Sequence, residues 1–249
     1  MCDNRGQSPL FLASKSGHCD FVKCLLSSDA DIKLCDRNGK SPLSIASLKE
    51  KWDVVKYLLS SDADVNLHEQ GQQSPLFLAS MSGHCDVVKC LLSSGADINL
   101  CDRNGKSPLS IASLKEEWDV VKYLLCSGAD VNLHEQGQPP LFLASMSGHC
   151  DVVKCLLISG AGINLCDNRG QSPLFVASHH GHYDVVKCLL SSGADINLRD
   201  KDGHLPKFVA LSSKYYDIYA LFNAHEENVK AQYKTSYKRT KDDPHCLLL

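Results

Sequence analysis

Nowhere in the 249 residues does an apolar run approach the roughly eighteen that a membrane-crossing helix requires, so the sequence reads as soluble. The N-terminus, Met1-Cys2-Asp3-Asn4-Arg5-Gly6, has neither the basic start nor the apolar core of a secretory signal, and the expected location is the cytoplasm. No phosphate-binding loop, dinucleotide glycine fingerprint or nucleophile elbow occurs. No serine, cysteine or lysine nucleophile is visibly paired with a base, which argues against an enzyme and against a cofactor. The densest histidine cluster, His179-His180-Gly181-His182, lacks metal-site logic because His18, His84 and His149 fill the same slot as His182, and adjacent His179 and His180 diverge.

Thirteen cysteines raise the question of a disulfide framework. Their spacing argues against one: Cys19, Cys85 and Cys150 share one repeat position, Cys24, Cys90, Cys155 and Cys188 a second, and Cys35, Cys101 and Cys166 a third. Equivalent positions in stacked units should lie roughly 8–10 Å apart, beyond the ~7 Å Cα separation a disulfide bridges. They are expected to be small buried apolar side chains in a reducing compartment. Charge is uneven. Val229–Lys241 holds Lys230, Lys234, Lys238, Arg239 and Lys241 with no acid, so a net charge of −3 leaves −8 on the rest. An acidic body argues against nucleic-acid binding.

What the chain has is a beat. Pro9, Pro42, Pro75, Pro108, Pro140, Pro173 and Pro206 are separated by 33, 33, 33, 32, 33 and 33 residues, a period that signals a stacked array. Within one unit, Ser74-Pro75-Leu76 offers a capping hydroxyl and a proline at the first helical position, where its missing N–H costs nothing. Ser82-Gly83 breaks that helix. Val87, Val88, Leu91 and Leu92 then make the apolar stripe of a second helix. Gly95 suits the left-handed residue after a helix end, and Ile98 to Gly105 reads as a hairpin-like finger crossing to the next unit.

This unit resembles the ankyrin repeat on Asp167, Gly170, Ser172-Pro173-Leu174, Ala177, Gly181-His182, Leu189-Leu190 and Gly193-Ala194-Asp195, and the resemblance covers about residues 2 to 222. It implies an all-α solenoid of helix-turn-helix units with β-hairpin-like fingers, in units of about 2–34, 35–67, 68–100, 101–133, 134–165, 166–198 and a degenerate cap at 199–222. A basic tail, 223–249, follows. The sequence departs from the family where Phe77 or Ser110 replaces the histidine after Pro-Leu.

Residues 34–99 and 100–164 are nearly the same text. In one unit of each block, Glu50-Lys51-Trp52 or Glu116-Glu117-Trp118 replaces Gly-His-Cys. A β-carbon in the left-handed region costs roughly 1–2 kcal/mol, so a reshaped turn is expected there. Trp52 and Trp118 are expected beside the helix pair, partly buried or as contacts for a partner. In the fifth unit Pro139-Pro140 drops a residue and the capping serine, a loss of about 1 kcal/mol, which marks the weakest joint. The first unit begins without a capping repeat, as would either a piece of a longer array or a complete protein that tolerates a poorly capped end. Cys246-Leu247-Leu248-Leu249 has the form of a prenylation box behind a basic stretch.

The resemblance implies a non-catalytic scaffold or adaptor that binds a partner protein on the concave face, as a monomer, without metal or cofactor. Carried over position by position, the partner-binding residues are Arg37, Asn38, Lys40, Leu48, Met81, Arg103, Asn104, Lys106, Leu114, Met146, Asn168, Arg169, Gln171 and His179. Leu48, Met81, Leu114 and Met146 would form an apolar stripe. Membrane association would come only through lipidation of Cys246.

Overall fold

The computed structural model describes residues 2–67, 73–134 and 138–241, with side chains through residue 232. Fourteen helices, numbered in chain order, alternate in two roles. The first helices of the units are α1 (Pro9–Ser16), α3 (Pro42–Leu48), α5 (Pro75–Met81), α7 (Pro108–Lys115), α9 (Pro140–Ser147), α11 (Pro173–His180) and α13 (Pro206–Ser212). The second helices are α2 (Cys19–Ser27), α4 (Trp52–Ser60), α6 (Cys85–Ser93), α8 (Trp118–Cys126), α10 (Cys150–Ile158), α12 (Tyr183–Ser191) and α14 (Tyr216–Lys241). Each first helix packs on its own second helix and on the first helices beside it, and second helices stack likewise. No strand occurs among the described residues.

Local chemistry sets the boundaries. Ser8, Ser41, Ser74, Ser107 and Ser172 accept the amide three residues on at 3.1–3.2 Å, and the following proline opens each helix. Pro139 has no such side chain, so α9 starts uncapped, as the sequence led us to expect. At the other end, Gly148 takes φ 83° and its N–H bonds the Ala144 carbonyl. Here one expectation fails. Glu116 does not reshape the turn; it caps α7 at φ 62° with its N–H on Ala112, and Glu50 likewise stands at φ 54°. Both carboxylates instead reach the next histidine, Glu50 to His84 at 3.5 Å and Glu116 to His149 at 3.3 Å.

The core runs unbroken along the stack. Leu43, Leu76, Leu109, Leu141 and Leu174 from the first helices meet paired valines and a leucine such as Val54, Val55 and Leu58 from the second, all 0–1 % exposed. Each such leucine contributes about 1.5–3 kcal/mol. A smaller cluster, Phe142, Leu143, Phe175, Val176 and Val209, lies toward the fingers, with Leu114 and Met146 against it. Neighbouring units are also stitched by polar bonds: Asn66, Asn99, Asn132 and Asn164 each accept, at 2.8–3.0 Å, an amide about one repeat later. The last unit departs from this plan. Lys207 stands where the core leucine would be and donates to both oxygens of Glu226 at 2.9 Å, closing the end with an ion pair on α14.

Candidate functional site

Among the described residues, the fingers that carry an aspartate are turns built on it. The Asp36 carboxylate accepts the amides of Asn38 and Lys40 at 2.9 and 3.0 Å, and Asp102 does the same for Asn104 and Lys106. Asp167 holds Arg169 and Gln171 at 2.8 and 2.9 Å. Because the acid is spent on its own backbone, each turn tip displays its cationic and amide side chains: Arg37, Asn38, Arg103, Asn104, Asn168 and Arg169 are exposed, and Lys40, Lys106 and Gln171 half-buried. In the same way the Gln7 amide, followed by that of Arg5, holds the Asp3 carboxyl below its ordinary value. Adjacent fingers join through backbone where the type matches, Arg37 N–H to the Arg5 carbonyl at 3.1 Å and Lys201 N–H to Arg169 at 2.9 Å.

Leu48, Met81, Leu114 and Met146 all occupy the last turn of a first helix and are half-buried. The backbone of Leu48, Leu114 and Met146 is anchored by the histidines of the following units. Nε2 of His84 lies 3.1 Å from the Leu48 carbonyl, His149 3.1 Å from Leu114, and His182 2.9 Å from Met146. These imidazoles therefore tie unit to unit. The lost family histidine is replaced locally, since Ser44 and Ser110 receive the hydroxyls of Ser41 and Ser107 at 3.1 and 3.2 Å.

Five of the fourteen predicted positions converge. Met146, Asn168, Arg169, Gln171 and His179 line one cavity of about 430 Å³ between α9, α11 and the sixth finger. Gln138, Phe142, Asp167, Val176 and His180 complete it. Sequence reasoning missed these five because they belong to the turn, the core edge and the outer helix turn. The aromatic Phe142 in place of the family histidine was the available signal. The other nine predicted residues do not line this cavity: Arg37, Asn38, Lys40, Arg103, Asn104 and Lys106 are in the fingers of the second and fourth units, and Leu48, Met81 and Leu114 in the last turns of α3, α5 and α7.

Repeated helix pairs, left-handed turn residues and finger aspartates set the frame for comparison with known proteins. The model for ankyrin repeats (3 copies) matches residues 1–69, 53–135 and 141–233, and that for ankyrin repeats (many copies) matches 115–157. The chain belongs to the ankyrin repeat family. No curated protein matches it. Ankyrin repeats are generally protein–protein interaction modules.

The second helices of this ankyrin array carry the tryptophans and most of the cysteines. Trp52 and Trp118 are 38 % and 37 % exposed, with Lys56 and Lys122 ammonium groups 5.5 and 5.3 Å from their rings. Trp118 borders a second cavity of about 440 Å³ with Lys154, Cys155 and the exposed Ile158. Among the described residues the cysteines are half-buried or exposed, against the expectation of burial; most lie on second helices between units, whereas Cys2, Cys35, Cys101 and Cys166 lie beside the finger turns. Desolvation pushes the thiols of Cys90, Cys155, Cys166 and Cys188 up, which leaves them weak nucleophiles near neutral pH. Among the described residues one trio has metal-like spacing, Asp200, Asp202 and His204. Its Asp200 Oδ1 already accepts the amides of Asp202 and His204 at 3.1 and 2.7 Å, so the trio builds a finger. Cys246 lies outside the described residues. No helix among those described is long and apolar enough to cross a membrane.

Proposed function

We propose that this chain is a non-catalytic scaffold that binds a segment of a partner protein along its fingers and the last turns of its first helices. One observation carries this: apolar Met146, hydrogen-bonding Asn168 and Gln171, cationic Arg169 and the imidazole of His179 share one open cavity. An apolar floor with a polar rim is the composition of a binding patch. Leu114 extends the floor toward the fourth unit, and Arg103, Asn104 and Lys106 extend the rim.

The test compares affinity capture by the full chain with capture by the double variant Met146→Glu/Arg169→Glu, with Lys122→Glu on the opposite side as control. Partners retained by the wild type and by Lys122→Glu should bind the double variant at least ~10-fold more weakly, a loss of about 1.4 kcal/mol. Equal capture by the double variant, with loss in Lys122→Glu, would move the binding face to the other side.

A membrane-anchored form of the same scaffold rests on Cys246-Leu247-Leu248-Leu249 and the basic residues before it. In that form the lipid holds the chain at a bilayer and the array recruits its partner there.

A further inference from the structure

Charge in this array is sorted by element. The seven first helices contain no aspartate or glutamate, whereas every second helix has an aspartate as its second residue. Four of those acids are paired on their own helix, with Lys23, Lys89, Lys122 and Lys154 at 3.0–3.3 Å. The fingers of the second, fourth and sixth units add cations next to the acid-free helices: Arg37 and Lys40, Arg103 and Lys106, and Arg169. Asp36 and Asp102, the acids of two of these fingers, are buried in the turns they hold.

The cavity between α9, α11 and the sixth finger concentrates this pattern. Its carboxylate, Asp167, accepts the Arg169 and Gln171 amides through Oδ1, and Nδ1 of His180 lies 2.9 Å from the Val176 carbonyl, so both groups are engaged within the protein. Arg169 and His179 are exposed at the rim, while Phe142, Met146 and Val176 supply the apolar floor. A guanidinium beside an apolar floor is complemented by a negative acceptor beside an aliphatic side chain.

We propose that the partner segment is an acidic, extended peptide that sets one Asp or Glu carboxylate on Arg169 and a neighbouring aliphatic side chain on Met146, Phe142 and Val176. This rests on the fingers and first helices being the binding face. The array also dictates the spacing of the acids. Arg37, Arg103 and Arg169 recur every second unit, and at roughly 8–10 Å per stacked helix that interval is about 16–20 Å. An extended chain covers it in about five or six residues. The sequence of the intervening fingers, 68–72 and 134–138, is His-Glu-Gln-Gly-Gln, with an acid where its neighbours have a cation. An unbroken acidic run would meet like charge there, so the segment carries acids at that interval with neutral residues between. Single cations so spaced suit single carboxylates; a phosphate dianion is recognised by clustered arginines. Phe142 is 2 % exposed and offers nucleobases no ring to stack on.

The experiment selects binders to the full chain from a displayed library of random peptides about sixteen residues long. Recovered peptides should be richer in Asp and Glu than the input library, with Leu, Ile, Val or Met beside an acid. Their binding should weaken several-fold between ~0.05 and ~0.5 M salt. The tightest of them should lose at least ~10-fold against Arg169→Glu, an exposed position that leaves the fold intact, and exchanging its critical acid for lysine should recover most of that loss on the variant. Acid content that stays at the input level, or enrichment of basic peptides, would overturn the proposal; if such peptides are still lost in Met146→Glu, the binding face stands and only its acidic preference fails. Peptides lost in Lys122→Glu but retained by Met146→Glu would overturn both. An oligothymidylate of about twenty nucleotides that binds more tightly than the selected peptides and displaces them would replace the acidic peptide with a nucleic acid.

Discussion

Removing a single oxygen from the middle of a first helix should stabilise this protein, and one helix supplies the control. Ser14, Ser47, Ser80, Ser113 and Ser145 share one repeat position, are fully buried, and have hydroxyls without a hydrogen-bond partner. Ser178, at the same position in α11, donates to the Leu174 carbonyl at 2.7 Å. An unpaired buried hydroxyl costs about 1–3 kcal/mol, whereas a made bond is worth about 1. Ser80→Ala also vacates on the order of 15 Å³, worth about 0.4 kcal/mol at 24 cal/mol per Å³. Alanine's better helix propensity, a few tenths of a kcal/mol, offsets most of that. Ser80→Ala should therefore gain about 1–2 kcal/mol, and Ser178→Ala should lose about 0.5–1. For a chain of this size each kcal/mol moves the thermal midpoint by about 2–4 °C, so calorimetry should separate the two variants by several degrees in opposite directions. Ser145 sits in the same Leu-Phe-Leu-Ala-Ser-Met-Ser-Gly text two units away, and its gain should add to that of Ser80 within about 0.5 kcal/mol. Equal shifts for Ser80→Ala and Ser178→Ala would refute the reasoning, because they would mean both hydroxyls are bonded alike.

Gly148→Ala should destabilise more than Gly160→Ala in urea titrations. Both pay for a left-handed β-carbon, but at Gly148 that carbon would stand 2.6 Å from His182 Nδ1 and push the imidazole off the Met146 carbonyl, whereas at Gly160 it meets nothing within 4 Å. The expected costs are about 2–3 and about 1 kcal/mol. Pro139→Ser should supply the missing cap of α9, and hydrogen exchange at the Phe142 amide should slow toward that of Phe77, which Ser74 already caps at 3.2 Å. Burial alone would raise the Asp200 carboxyl, but the amide and imidazole of His204 and the amide of Asp202 outweigh it and hold it below its ordinary value. A depressed folded value means that this carboxylate's stabilisation is complete above the unfolded aspartate pKa, about 3.9, and is lost as pH falls below it. The advantage of the wild type over Asp200→Ala should accordingly shrink between about pH 4 and pH 2, read from denaturant midpoints. Finally, the full chain made in eukaryotic cells should carry a prenyl-sized mass increase and partition to membranes, both abolished by Cys246→Ser; an unmodified wild-type chain recovered away from membranes removes the anchored form.

The fold was legible because its rules are local and repeated. Proline spacing, capping serines and left-handed glycines each specify backbone that neighbouring residues alone can satisfy, and the same text occurs often enough to remove ambiguity. Glu116 shows where local rules stop. On its own, glutamate disfavours φ 62°, but α7 and α8 fix both ends of the turn. The Glu117 amide bonds Ala112 at 3.0 Å, the Trp118 amide bonds Glu116 at 2.8 Å, and together they outweigh a penalty of about 1–2 kcal/mol.

Repetition also explains why the site was only partly readable. A partner can distinguish one stretch of a duplicated surface from the next only through departures from the shared text. The departures gather in the fifth and sixth units: Pro139 without its cap, Ile158 exposed where other units have serine or cysteine, Cys188 in place of tyrosine, and His179-His180 closing α11. The cavity that unites five predicted positions lies at this junction. The uncapped helix makes the fifth unit the easiest to open, since a first turn without its cap is less stable by about 1 kcal/mol.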